Sequence, residues 1–220
     1  MQLKKTMFFV LIGIGFSIMA ACSGESTAEK MHQHLEEAVA LEENFAEQQQ
    51  PLVDLEEEEM ELYDQMINLS LSEFDQVKQL SEEALSIVDE RLSIVNEEKD
   101  SIESAKEEFD KIEPMVGDIE DQELKDKAQE LVDTMNERYD TYIQFNQTYI
   151  ESIDQDKVLY QTLQDEDVSE EELKEQIENV NQSYEKVIEA NNNFNNLTET
   201  YNDLKQQFYE SAQMNIEYTE

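Results

Sequence analysis

Turn formers, thiols and indoles are nearly missing from this chain. Its 220 residues include four Gly, two Pro, one Cys and no Trp. Sheets need frequent tight turns and helices need few, so this scarcity argues against a strand-rich fold and predicts an all-α protein. A single cysteine excludes an internal disulfide framework and paired-thiol metal ribbons. Bases are scarce too: 15 Lys and Arg stand against 55 Asp and Glu, a formal charge of −40. Two of those bases, Lys4 and Lys5, precede Cys22 and no acid does, so the remainder carries −42. Such a surface repels polyanions and lacks the cationic contacts that phosphate backbones require, which excludes nucleic acid as a partner.

Long apolar runs are equally rare. The one present covers residues 7–18, behind Lys4 and Lys5, and falls short of the roughly 20 apolar residues of a membrane span. It has the layout of a signal peptide, residues 1–21. It ends in Met19, Ala20, Ala21 and Cys22, which resembles the bacterial lipobox. That resemblance implies diacylglycerol transfer to the Cys22 sulfur, followed by cleavage before Cys22. Met19 stands where Leu is usual. Each buried lipid methylene contributes about 0.8 kcal/mol, so two or more fatty acyl chains, of the palmitate kind, hold a protein durably at a bilayer. Residues 22–27 then read as the lipidated cysteine and a polar tether.

The rest is written in helical phrases. Ser70-Leu-Ser-Glu73 and Ser169-Glu-Glu-Glu172 are capping-box patterns, and Pro114 and Gly117 lie between them. These cut the chain at about 25–66, 70–113, 119–164 and 169–216. Four matched lengths predict an elongated up-and-down bundle of four long helices, with three helices, one of them long and bent, as second choice. The apolar stripes agree with this. They comprise Met31, Leu35, Ala38, Phe45, Leu52 and Met66; then Ala84, Val88, Val95, Ile102, Ala105 and Phe109. The third runs from Leu124 through Ala128, Leu131, Met135, Tyr142, Phe145, Tyr149 and Ile153 to Leu163. The fourth runs from Leu173 through Ile177, Val180, Tyr184, Val187, Asn191 and Phe194 to Phe208. Asn191 is either a register-setting residue or a solvated end of its stripe. The tyrosines place their hydroxyls at the bundle edge. Pro51 predicts a kink or break at Gln50. One helical-bundle domain is expected over 28–216, with a tail at 217–220.

Chemistry is sparsely signalled. His32 and His34 lie on different helical faces and cannot jointly hold one metal. Carboxylates are too abundant to be diagnostic, and the run "LEEEEME" at 55–61 reads as a solvated face. Weak divalent-cation binding by such runs is compatible with the composition. No catalytic residues, metal ligands or cofactor are assigned.

The phrases "LEEAVALEENFAEQQQPLVDLEEEEMELYDQMINLSLSEFD", "ERLSIVNEEKDSIESAKEEFDKI" and "VNQSYEKVIEANNNFNNLTETYNDLKQQFYE" resemble the YkyA-type cell-wall-binding lipoproteins of Bacillus-like Gram-positive bacteria. The resemblance spans the lipobox to about residue 212. It implies a helical body on the extracytoplasmic face of the cell membrane, lipid-anchored and facing the wall. Possible partners are then the membrane, a wall polymer, or a membrane or wall protein. The expected function is a non-enzymatic spacer or interaction module; the alternatives are a carboxylate-dependent wall hydrolase and, third, a solute-binding receptor for uptake. Wall teichoic acids are polyanionic and this chain is too, so contact requires bridging cations, a neutral glycan or a protein.

Overall fold

The computed structural model describes residues 26–214, together with a two-residue antiparallel pairing of Ile14–Gly15 with Glu217–Tyr218. Six helices follow in order: α1 (Thr27–Leu41), α2 (Glu43–Ile67), α3 (Phe74–Phe109), α4 (Glu113–Val116), α5 (Gln122–Thr162) and α6 (Glu170–Ser211). A 3₁₀ turn, Leu71–Glu73, joins α2 to α3. Helices α1 and α2 form one bent rod, so the body is an up-and-down bundle of four rods with α4 as a one-turn connector. Both capping boxes form, at Ser70 with Glu73 and at Ser169 with Glu172. A third, Ser26 with Glu29, starts α1. Ser26 and Thr27, expected as tether, are therefore the cap and first residue of the body. At the other end α6 stops at Ser211, short of 216.

The core has three parts along the axis. At the end holding residue 26, Met31, Leu35, Phe109, Ile112, Leu131 and Phe208 pack together. An aromatic centre follows, where Phe45 lies edge-on to Tyr142 at 5.8 Å and to Phe194 at 6.1 Å. Leu52, Val88, Val95, Tyr149, Ile153 and Val187 fill the far half. All the stripe residues expected in the first two segments are buried. Those of the fourth are not uniformly so: Leu173, Ile177, Val180 and Tyr184 are only half-buried, and Val187, Phe194, Tyr201 and Phe208 carry the packing.

The predicted break is displaced. Helix α2 continues unbroken through Pro51, and the interruption falls at Glu42. Pro51 is exposed, as is Glu47, whose carbonyl loses the hydrogen bond, so water can serve it. At Glu42 the interruption has a cause from another helix. The Ser101 hydroxyl of α3 donates to the Leu41 carbonyl at 2.6 Å and accepts from the Phe45 amide at 3.2 Å. It takes up both ends of the bond that Phe45 would give Leu41 in a continuous helix.

Candidate functional site

The chain has only two arginines, Arg91 and Arg138, and both are buried inside the bundle. Arg91, on α3, is 0% exposed. Its Nη1 donates to Glu59 of α2 and, at 3.1 Å, to Asp156 Oδ2 of α5. Its Nη2 donates to the hydroxyls of Tyr149 and Tyr184, each at 3.0 Å, and lies 3.5 Å from Glu56. Tyr149 donates onward to Glu56, and Tyr184 to Asp156 at 2.6 Å. One cation thus joins α2, α3, α5 and α6. Three carboxylates surround it, and burial together with nearby Glu59 pushes the Asp156 carboxyl up to about 7.

Arg138, on α5, grips Glu42 at the α1–α2 break through Nη1 and Nη2, both at 2.8 Å, and donates from Nε to Thr198 of α6 at 2.9 Å. Its guanidinium carbon stands 5.0 Å from the Phe194 ring centre. Between the two arginines lies Glu98, 4% exposed, which accepts from the Gln49 side chain. Burial, with Glu56 nearby, raises its carboxyl to about 8. Asn146, also buried, donates to the Val95 carbonyl at 3.2 Å and locks α5 to α3.

Two expectations change here. The run at 55–61 is not wholly solvated, because Glu56 and Glu59 share one helical face and turn to Arg91. The Tyr149 and Tyr184 hydroxyls point into the bundle, drawn by that cation. Of the two readings of Asn191, the structure gives a half-buried residue whose side chain accepts from Asn195 on its own helix at 2.7 Å, while Asn146 bonds across helices. A signal for the buried charges does exist. The second stripe steps by seven from Val88 to Val95 and from Val95 to Ile102, and Arg91 and Glu98 fill those gaps. Arg138 fills the same gap between Met135 and Tyr142.

Arg91 and Arg138 are both closed inside the bundle. One shallow groove of about 320 Å³ lies between α5 and α6, lined by Thr148, Glu151, Gln155, Asn179, Gln182, Ser183 and Lys186. Its single acid and single base make it formally neutral on a strongly acidic body. His32 lies 4.8 Å from the Tyr209 ring, whereas His34 faces Glu108 of α3, so the two histidines do separate. Met19, Ala20, Ala21 and Cys22 lie outside the described residues.

Among the described residues no helix is long and apolar enough to cross a membrane. A long helical body beginning close behind a lipobox-like cysteine defines a class, the helical-bundle surface lipoproteins. Residues 26–211 match the YkyA family, described as "Putative cell-wall binding lipoprotein", and the chain belongs to that family. It is 31% identical over 195 residues to "Uncharacterized lipoprotein YkyA" of Bacillus subtilis (strain 168), covering 89% of this chain and 87% of that one. The fold also matches a crystal structure of a conserved protein of unknown function from Staphylococcus aureus. There the TM-score is 0.73 at 17% identity, over 86% of this chain and 97% of that one. Membership of a lipoprotein family puts the chain at a membrane, on its extracytoplasmic face, through lipid.

Proposed function

We propose that the protein is a non-enzymatic spacer and interaction module, held to the cell membrane through acylated Cys22 and presenting its far end toward the wall. The observation that carries this reading is the placement of the ends. Helix α1 begins at Thr27, close behind Cys22, while the turns at 68–73 and 163–169 lie at the opposite end of the bundle. Helix α5 has 41 residues, so those turns stand about 60 Å away along the axis. The Arg91 and Arg138 centres tie the rods together in the interior, which suits a stiff spacer better than a gated enzyme. Wall contact is best served by the neutral groove between α5 and α6, where amides and hydroxyls match an uncharged glycan and teichoic acid would be repelled.

Cell fractionation of Cys22→Ala tests the anchor: the variant is expected in the soluble extracytoplasmic fraction, and unchanged membrane retention overturns it. Sedimentation with purified peptidoglycan, stripped of teichoic acid or not, tests the wall contact. Retention is expected to be stronger on the stripped material and lost in Gln155→Ala/Gln182→Ala. No retention on either material overturns it.

A further inference from the structure

Helix α1 places His34 and Glu37 one turn apart on the same face, and the last turn of α3 brings Glu108 against them. His34 Nδ1 lies 2.6 Å from Glu108 Oε1. One donor atom from each of His34, Glu37 and Glu108 falls within 4.8 Å of the other two. Lys111 occupies the other oxygen of Glu108, Oε2, and so leaves Oε1 turned to the imidazole. The imidazole sets this cluster apart from the chain's many carboxylate groups, which offer oxygen alone. It is also sheltered: the His34 and Glu108 side chains are 24% and 11% exposed.

We propose that His34, Glu37 and Glu108 form a binding site for a borderline divalent transition metal, with Zn²⁺ as the best fit. One imidazole nitrogen and two carboxylate oxygens make a three-ligand set that leaves a fourth position to water. Ca²⁺ and Mg²⁺ fit poorly, because they take six or more oxygens and avoid nitrogen. Tetrahedral ligand atoms about 2.0–2.2 Å from zinc stand roughly 3.3 Å apart. The His34–Glu108 contact must open slightly and Glu37 must close in, movements on the order of 1 Å that side-chain rotation supplies. The metal takes the Nδ1 lone pair in place of the Nδ1–Oε1 contact, and the neutral imidazole then carries its one proton on Nε2. The bound ion would staple α1, the helix nearest the proposed anchor, to α3. This site is independent of the wall-binding reading.

The test is titration of CoCl₂ into the purified full chain in detergent micelles, followed by visible absorption and then by displacement with ZnCl₂. One equivalent of Co²⁺ is expected to give the intense bands of a four- or five-coordinate site, and Zn²⁺ should abolish them. His34→Gln keeps a polar contact to Glu108, and Glu37→Gln changes an exposed residue, so both are expected to stay helical by circular dichroism. Each should weaken binding by at least about tenfold, since loss of even an outer partner of a metal ligand costs 10–100-fold. Glu58→Gln/Glu61→Gln, on the exposed acidic run, should leave affinity unchanged. Absent bands, or equal affinity in the wild type and His34→Gln, overturn the site and assign any binding to the diffuse acidic surface.

Discussion

Arg138 holds Glu42 by two parallel hydrogen bonds, Nη1 to Oε1 and Nη2 to Oε2, both 2.8 Å long. This fork-to-fork contact is the geometry in which arginine outperforms lysine, and it is sheltered, with the Glu42 side chain 13% exposed. Arg138→Ala removes both hydrogen bonds from that sheltered carboxylate and leaves it the field of Lys205 in place of a bidentate partner. Urea unfolding is expected to show a loss of about 3–5 kcal/mol, with Arg138→Lys in between. A loss below about 1 kcal/mol would mean that solvent already screens the pair.

Ser101→Ala tests the bend. Removing the hydroxyl removes its two bonds, to the Leu41 carbonyl and from the Phe45 amide, at a cost of about 1–3 kcal/mol. Hydrogen exchange at the Phe45 amide should accelerate. Unchanged protection there would show that the helix rejoins across Glu42.

At Arg91 the expected outcome depends on what replaces the charge. Arg91→Ala strands Glu59 and Asp156 and should cost about 3–5 kcal/mol near pH 8. The cost should shrink near pH 5, where Asp156, held up at about 7, takes a proton. Combining Arg91→Met with Glu59→Met and Asp156→Leu removes cation and anions together. Thermal melts of that triple variant should recover most of the lost stability, and no recovery would show that the tyrosine contacts carry the centre.

Stability should fall with rising pH. Glu98 and Asp156 have folded values near 8 and 7, above the usual carboxylate range, because burial disfavours their charged forms. A group raised in the folded state binds its proton more tightly there, so its contribution is full below about pH 4. It is lost as pH climbs through the raised value. Thermal midpoints are therefore expected to drop between about pH 5 and pH 9, and Glu98→Gln should flatten that drop and raise the midpoint at the alkaline end. A midpoint that rises with pH, or a Glu98→Gln profile parallel to wild type, would contradict the assignment.

Much of this architecture was legible beforehand. Met31, Leu35, Ala38, Phe45, Leu52 and Met66 repeat with the helical period, and all are buried. The capping boxes at Ser70 and Ser169 opened the helical segments they announced. The charged interior was less legible, because Arg91, Glu98 and Arg138 stand at stripe positions but carry polar labels that a hydrophobicity pattern discards. The break was misplaced for a related reason. Pro51 is a visible local breaker, whereas the hydroxyl that opens α1–α2 comes from Ser101, 60 residues from Leu41 in sequence.

The lipobox-like motif at Cys22 is a contiguous chemical phrase, so it can be read without any fold. His34 and Glu108 are separated by 74 residues, and no spacing rule joins them. By itself, the sequence determined what depends on neighbours along the chain: helix content, the number of rods, their caps and their apolar faces. Tertiary structure alone decided which few charges turn inward, where the first rod bends, and which carboxylates meet an arginine or a histidine. Helical period and capping act over a turn or two of backbone. The cost of burying a charge, by contrast, is settled only when a partner from another helix arrives to offset it.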